Sequence, residues 1–264
     1  MMTTIKLREK KQAGEKITCL TAYDASFAAI EESAGIDAIL VGDSLGMVLQ
    51  GHTSTLPVTI EDMVYHTSLV RRGAPASFLI ADMPFMADAS VESALLNAGQ
   101  LVKAGATCIK LEGAQSFTLE IVTGLAQRGV PVCGHIGLQP QSVNKLGGYR
   151  VQGKDSHQAI KLVEDAHALE QAGADIIVLE CVPATLAQEI TRNLSIPTIG
   201  IGAGAGCDGQ VLVIYDLLGI TRGKRAKFVK DFLQGCDSIE QAVCAYRDAV
   251  KSGEFPSVEH SFQA

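Results

Sequence analysis

Short, unbroken apolar runs rich in β-branched residues recur along this 264-residue chain, separated by longer stretches of helical spacing. The runs are ITCLTAYD (17–24), AILVGDS (38–44), SFLIADMP (77–84) and CIKLEG (108–113), then VPVCGHIGL (130–138), DIIVLECV (175–182), IPTIGIGAGA (196–205) and VLVIYDLLG (211–219). They do not alternate apolar with polar residues, as expected of parallel strands covered on both faces. Amphipathic stretches ending in Gly lie between most of them: ASFAAIEESAG (25–35), VESALLNAGQLVKAG (91–105), SFTLEIVTGLAQRG (116–129) and HQAIKLVEDAHALEQAG (157–173). A glycine that closes a helix ahead of a strand is the expected αβ joint. The phrases AGID (34–37), AGAT (104–107) and AGAD (172–175) mark it three times. A last helix is predicted over 238–253, followed by a tail, EFPSVEHSFQA, that is expected to dock on the body of the protein.

Eight strands in this alternation predict an α/β fold, a single (β/α)8 TIM barrel spanning residues 1–264. The competing open, doubly wound sheet would carry GxGxxG after its first strand, and none is there. GIGAGAG (200–206) comes too late and is wrongly spaced, so it reads as a tight loop or a place of close ligand approach. The two longest connections, 45–59 and 139–156, both follow strand C-termini, the face of a barrel where long loops carry function.

Charge and composition narrow the field. Lys and Arg number 22 against 29 Asp and Glu, a net charge of −7, so a nucleic-acid or anionic-membrane surface is not expected. No apolar run nears the ~20 residues of a membrane span, and the N-terminal MMTTIKLREKKQAGEK lacks the apolar core of a secretory signal. The seven cysteines form no CxxC pair, so they read as free thiols packed like small hydrophobes, and a cytoplasmic location is expected. The basic run TRGKRAKFVK (221–230) reads as the solvated start of a helix, or as a surface for an acidic cosubstrate tail.

The candidate chemistry lies in four acids. Asp43, Asp82, Glu112 and Glu180 each fall at or just past the downstream end of an apolar run. A buried acid is costly unless it has a partner, and four acids at strand ends fit one shared site built around a cation. Oxygen ligands without a Cys/His cluster favour a hard ion, Mg2+ first. Because Mg2+ takes only one or two direct carboxylates, Glu112 is expected to be the more distant partner, through water. Lys110 and Glu112, two apart on one strand, point to the same face. Each residue also has a plain reading. A strand-end Asp is commonly a helix N-cap, His135 can be a satisfied core histidine, and Lys110 can simply pair with Glu112. Glu180, set between IIVL and CV, needs a partner or a raised pKa, and the latter suits a general base. The chemistry that fits is enolisation of a 2-oxo acid chelated to Mg2+.

Ten blocks, from TAYDASFA (21–28) through VGDSLGMVLQGH (41–52), TLPVTIEDMVYHT (55–67), ADMPF (81–85), IKLEG (109–113), GHIGLQPQSV (134–143), GYRVQGK (148–154), LECVP (179–183) and IGIGAGAGCDGQVLV (199–213) to FPSVEHSF (255–262), closely resemble the ketopantoate hydroxymethyltransferases, in family order. The resemblance implies a barrel of the phosphoenolpyruvate/pyruvate type assembled as a homo-oligomer, commonly a decamer. It implies transfer of a one-carbon unit from 5,10-methylenetetrahydrofolate to 3-methyl-2-oxobutanoate, giving 2-dehydropantoate for pantothenate and coenzyme A synthesis. By motif, Asp43 and Asp82 resemble the Mg2+ ligands, with one ion per subunit, and Glu112 a third acidic contact. Asp43, Ser44, Asp82, Lys110 and His135 resemble substrate-binding residues, and Glu180 the proton acceptor. Thr53 and Tyr215 depart from the family pattern, outside the positions that bear the chemistry. A 2-oxo-acid C–C lyase or phosphonomutase of the same barrel type would share the acids, but would carry a catalytic Cys in a KKCGH-like loop that is absent here. The remaining rival is a non-catalytic ligand-binding barrel, which would tolerate loss of the acids.

Overall fold

In the computed structural model, which describes residues 1–221, 223 and 225–263, eight parallel strands close into a barrel in simple sequential order. They are β1 (Ile17–Thr21), β2 (Ala38–Val41), β3 (Phe78–Asp82), β4 (Cys108–Glu112), β5 (Val132–Gly137), β6 (Ile176–Glu180), β7 (Thr198–Ile201) and β8 (Gly209–Leu212). The helices of the first half are α1 (Thr4–Ala13), α2 (Ala25–Ser33), α3 (Leu45–Val48), α4 (Ile60–Gly73), α5 (Val91–Ala104) and α6 (Ser116–Ala126). Those of the second half are α7 (Val143–Leu146), α8 (Ser156–Ala172), α9 (Ala184–Asn193), α10 (Ile214–Leu217) and α11 (Ile239–Ser252). The expected (β/α)8 barrel is what the chain forms, and no helix among the described residues is long and apolar enough to cross a membrane.

Two apolar clusters divide the work. The larger lies between the strands and the surrounding helices, and the smaller fills the barrel itself. Inside the barrel, residues two apart on each strand stack in layers, as the pleat requires. On β3 these are Phe78, Ile80 and Asp82, on β4 Cys108, Lys110 and Glu112, and on β6 Ile176, Val178 and Glu180. The lower layers are apolar, and the uppermost is charged. Cys19, Cys108 and Cys133 are free, buried thiols of the interior, as their sequence setting implies.

The N-terminal helix α1 was not among the expected elements because it is almost wholly polar. Its one buried residue, Leu7, packs into the interior cluster and stoppers the end of the barrel opposite the charged layer. Helices α4 and α9 were also not anticipated. A capping box at Thr59 and Asp62 starts α4, whereas α9 begins after Pro183 with no side-chain cap. The eighth strand is shorter and earlier than the 211–219 run implies: it ends at Leu212, and α10 follows at Ile214. Thr21 Oγ1 accepts the Ile214 N–H at 3.0 Å and so helps turn the chain out of the barrel. A continuous apolar run does not distinguish strand from helix, and here it holds both.

The helix start read from 221–230 is not found among the described residues of that run. Gly223 takes φ +96°, which a right-handed helix cannot accommodate, and Arg222 and Lys224 lie outside the described residues. Lys227 donates instead to the Ser261 carbonyl at 2.6 Å, and the Ala184 N–H donates to that of Phe262 at 2.9 Å. The tail is thus folded onto the loops above β6 and β7. Gly202, at φ +64°, makes room for Phe228 and Phe262, the tight-loop reading of GIGAGAG.

One buried acid belongs to no site. Glu31 on α2 is fully buried, and neither carboxylate oxygen has a hydrogen-bond partner among the described residues. Burial, then the charge of Asp24, pushes its carboxyl well above the ordinary range. A raised folded-state value means its contribution is most favourable below the ordinary carboxylate range and is lost as pH rises toward that value. Glu31→Gln is therefore expected to change thermal stability little at pH 5 and to stabilise the protein by about 1 kcal/mol or more at pH 8, as measured by calorimetry at the two pH values.

Candidate active site

At the C-terminal mouth of the barrel, side chains from β2, β3, β4, β5 and β6 surround a cavity of about 230 Å³. Register explains the convergence. Asp82 pairs with Lys110 across β3 and β4, and Glu112 with His135 across β4 and β5, so each pair faces inward at one level. Asp43 and Ser44 follow β2, just past its end. All seven residues singled out from the sequence, Asp43, Ser44, Asp82, Lys110, Glu112, His135 and Glu180, line this one cavity.

The contacts are specific. Lys110 Nζ donates to Asp82 Oδ1 at 2.7 Å, with both side chains buried. Its partner is therefore Asp82 on the neighbouring strand, not Glu112 two residues on. The Asp43 N–H donates to Asp82 Oδ2 at 3.1 Å. His135 Nε2 lies 3.2 Å from Glu180 Oε2 and its Nδ1 lies 3.6 Å from Glu112 Oε1, though neither approach has hydrogen-bond geometry. Tyr23 Oη and Ser44 Oγ share a hydrogen bond of 2.8 Å. Glu180, which its sequence setting leaves in need of a partner, has His135 beside it.

Electrostatics follow from burial and crowding. Burial first, then Asp82 and Glu112, pushes the Asp43 carboxyl well above its ordinary value, while Lys110 and a hydrogen bond from Gln141 act against the shift. Lys110 resists the lowering effect of burial because Asp82, Asp43 and Glu112 surround it, so its ammonium is held above the ordinary range. For His135, burial and the Lys110 charge act downward, and Glu112 and Glu180 outweigh them, raising it to about 9. The cavity thus carries more negative than positive groups, out of water.

This excess suits a cation. Among the described residues, no group of three or more His, Cys, Asp or Glu side chains is gathered closely enough to cage an ion. A hard divalent ion would keep waters and use only one or two carboxylates. Asp43 and Asp82, linked through the Asp43 N–H at 3.1 Å, could supply them, and Glu112 lines the same cavity.

Comparison with known proteins decides the family. A family model described as ketopantoate hydroxymethyltransferase matches residues 1–258. The chain belongs to the ketopantoate hydroxymethyltransferase family. It is 58% identical over 256 residues to the 3-methyl-2-oxobutanoate hydroxymethyltransferase of Nitrosospira multiformis, covering 97% of each protein. It is 56% identical over 261 residues to 3-methyl-2-oxobutanoate hydroxymethyltransferase 2 of Hahella chejuensis, covering 99% of this chain and 98% of that one. As a ketopantoate hydroxymethyltransferase family member, the chain is a hydroxymethyltransferase of pantothenate biosynthesis. Among solved structures, 2,3-dimethylmalate lyase, a PEP mutase/isocitrate lyase superfamily member, superposes with a TM-score of 0.60 at 16% identity, over 80% of this chain and 81% of that one. Phosphonopyruvate hydrolase, crystallised with oxalate and Mg2+, superposes with a TM-score of 0.61 at 14% identity over 81% of each chain. At such identities the likeness concerns the barrel alone.

Sequence reasoning missed several residues of the cavity. Tyr149 arises from the 139–156 connection, and its hydroxyl contacts Met47 Sδ, from the 45–59 connection, at 3.5 Å, so the two long loops meet over the mouth. Asp216 also lines the cavity. It follows the apolar IY of the eighth run, the same signal that marked the other four acids. Gln141 lines up behind Asp43 and Glu112 and bonds to both, and nothing in its sequence setting distinguishes it from Gln139.

The Lys110–Asp82 pair gives a direct test of this electrostatic arrangement. Removing one partner of a buried pair leaves an uncompensated charge and costs about 3–5 kcal/mol, whereas replacing both with apolar groups costs much less. Lys110→Met is expected to fall in that range in urea unfolding, and adding Asp82→Leu should recover most of the loss. Additive losses in the double variant would mean that the two side chains are not coupled.

Proposed function

We propose that the protein transfers a one-carbon unit from 5,10-methylenetetrahydrofolate to 3-methyl-2-oxobutanoate, with Mg2+ as its cofactor, giving 2-dehydropantoate. The acceptor is the one named in the relatives. The observation that carries the mechanism is the convergence of Asp43, Asp82, Glu112 and Glu180 on one small cavity that holds a single ammonium group, Lys110. Such a site favours a divalent ion and a substrate able to share it.

In this reading Asp43 and Asp82 would hold the ion, and Glu112 would lie farther out. A bound Mg2+ would withdraw charge from the 2-oxo group and stabilise the enolate that deprotonation at C3 produces. Lys110 faces the substrate carboxylate, and Ser44, its hydroxyl oriented by Tyr23, donates to the acid's oxygens. Glu180 stands apart from the three metal-side acids and beside His135, free of the Lys110 pair, which suits a base. It takes the C3 proton, and C3 bonds to the methylene carbon as one of that carbon's two C–N bonds to the folate breaks. Water supplies the hydroxyl oxygen as the second C–N bond breaks, and the two folate nitrogens each recover a proton, one from C3 by way of Glu180 and one from the water, so tetrahydrofolate leaves. The apolar wall of Val178, Ile201, Val211 and Phe228 shields the enolate carbon C3, leaving water to reach only the transferred carbon.

The likeness to the family also supports a homo-oligomer, a decamer in this reading. Leu96 on α5, Phe117 on α6 and Ile160 on α8 expose apolar surface on consecutive helices of the outer ring, which fits association.

Mass spectrometry of a mixture of 3-methyl-2-oxobutanoate, methylenetetrahydrofolate and Mg2+ should show 2-dehydropantoate, and its absence would remove the assignment. Glu180→Gln is expected to lower solvent deuterium exchange at C3 by at least about 100-fold while sparing Mg2+ binding. Rapid exchange in that variant would exclude Glu180 as the base. Asp82→Ala should weaken Mg2+-dependent binding of the keto acid in calorimetric titration, and an unaltered Mg2+ dependence would count against a ligand at that position.

A further inference from the structure

The 139–156 connection is anchored to the acids by one neutral residue. Gln141 lies in the 3₁₀ turn Pro140–Ser142. Its side-chain amide nitrogen donates to Asp43 Oδ2 at 2.8 Å and to the Met83 carbonyl at 2.9 Å. Its backbone N–H donates to Glu112 Oε2 at 3.1 Å. One residue therefore engages the acid after β2, the backbone after β3 and the acid at the end of β4.

Both protons of the NH2 group are committed to acceptors, so the amide has one favoured orientation. Turned over, its oxygen would face a carboxylate and a carbonyl. The charge of Gln141 matters as much as its reach. A Lys or Arg in this place would neutralise Asp43 and compete with a cation. The amide fixes one carboxylate oxygen and cancels no charge, leaving Oδ1 without a hydrogen bond among the described residues.

Past Gln141, the same connection touches the site twice more. Tyr149 Oη meets Met47 Sδ at 3.5 Å, and the Gln152 N–H donates at 2.9 Å to the carbonyl of Cys181, the neighbour of Glu180. Cys181 itself is held at φ +50°, a left-handed conformation unusual for a residue with a side chain. The connection thus passes over the mouth from the metal-side acids to the base.

We infer that Gln141 is a positioning residue that fixes Asp43 for a divalent cation and couples cation binding to the order of the 139–156 connection. The inference rests on the cation site proposed above. Partners that hold a ligating carboxylate in place typically change metal affinity by about 10–100-fold when removed. Coupling between two sites is reciprocal, so an ion that orders Asp43 must also favour the ordered connection.

The test uses the full-length protein and Mn2+ as the probe, with free ion counted by electron paramagnetic resonance. Gln141→Met keeps the side-chain length and removes the amide. It is expected to weaken Mn2+ binding by about 10–100-fold with the circular dichroism spectrum unchanged. Amide hydrogen exchange supplies the second readout. In the parent protein Mg2+ should slow exchange across 139–153, and in Gln141→Met that slowing should be lost. Should Gln141→Met fold poorly, Gln141→Asn, one methylene short of Asp43, carries both measurements. Mn2+ affinity within about twofold of the parent, with Mg2+ still slowing exchange in the connection, would falsify the inference. A parent protein that binds no Mn2+ would instead overturn the cation site, and the inference with it.

Discussion

The active end of this barrel depends on negative charge held out of water by a closed ring of strands. Each acid taken alone would be expelled, neutralised or paired. The barrel prevents expulsion because Asp82, Glu112 and Glu180 occupy inward positions set by a two-residue period, and closure leaves no edge at which a strand can slip. Asp43 sits just past β2, tied through its N–H to Asp82. The result is a top layer of like charges over an apolar interior. In such surroundings the interaction between charges is far stronger than in water, and Lys110 is the one permanent cation of the described layer.

That layer also explains where stability must come from. The charged mouth is a poor contributor, because burying even a paired charge costs desolvation. The compensation lies beneath and around it. Leu7 closes the far end, the interior packs small thiols among Ile, Val and Phe, and a continuous apolar cluster joins the strands to the helices. Glu31 shows that the protein carries such a cost even away from the mouth, with two buried oxygens lacking partners among the described residues.

Much of this was legible in the sequence, for physical reasons. Parallel strands covered on both faces must be apolar throughout, so their runs stand out, and four acids ending such runs are hard to explain as helix caps alone. That signal found the four acids; Lys110 and His135 followed from their places on the strand of Glu112 and the next, Ser44 from the family resemblance, and all seven line one cavity. Applied consistently to the eighth run it would also have found Asp216. What it could not resolve was context. VLVIYDLLG reads as one strand because apolar residues serve both β8 and α10, and only the Thr21 cap marks the break. Polar α1 shows a single buried residue, too little for a periodic pattern. Lys110 was correctly aimed, yet its partner lies on the next strand, a fact of register that linear spacing cannot contain. Gln141 was invisible, since an uncharged amide in a loop acquires meaning only from what it touches.

The contrast between Lys110 and Gln141 gives the site its logic. Both reach the acids from separate elements, and both restrict a carboxylate by hydrogen bonding. Lys110 does so with a charge, and its pairing with Asp82 lowers the local excess of negative potential. Gln141 does so without one, and brings no positive charge to Asp43. A site using two lysines would be more stable empty and less able to attract a divalent ion. A site using two amides would leave Asp82 uncompensated and the mouth more costly to fold. One of each leaves the acids ordered and outnumbering the positive groups, and a divalent ion, in the function proposed above, would complete the balance.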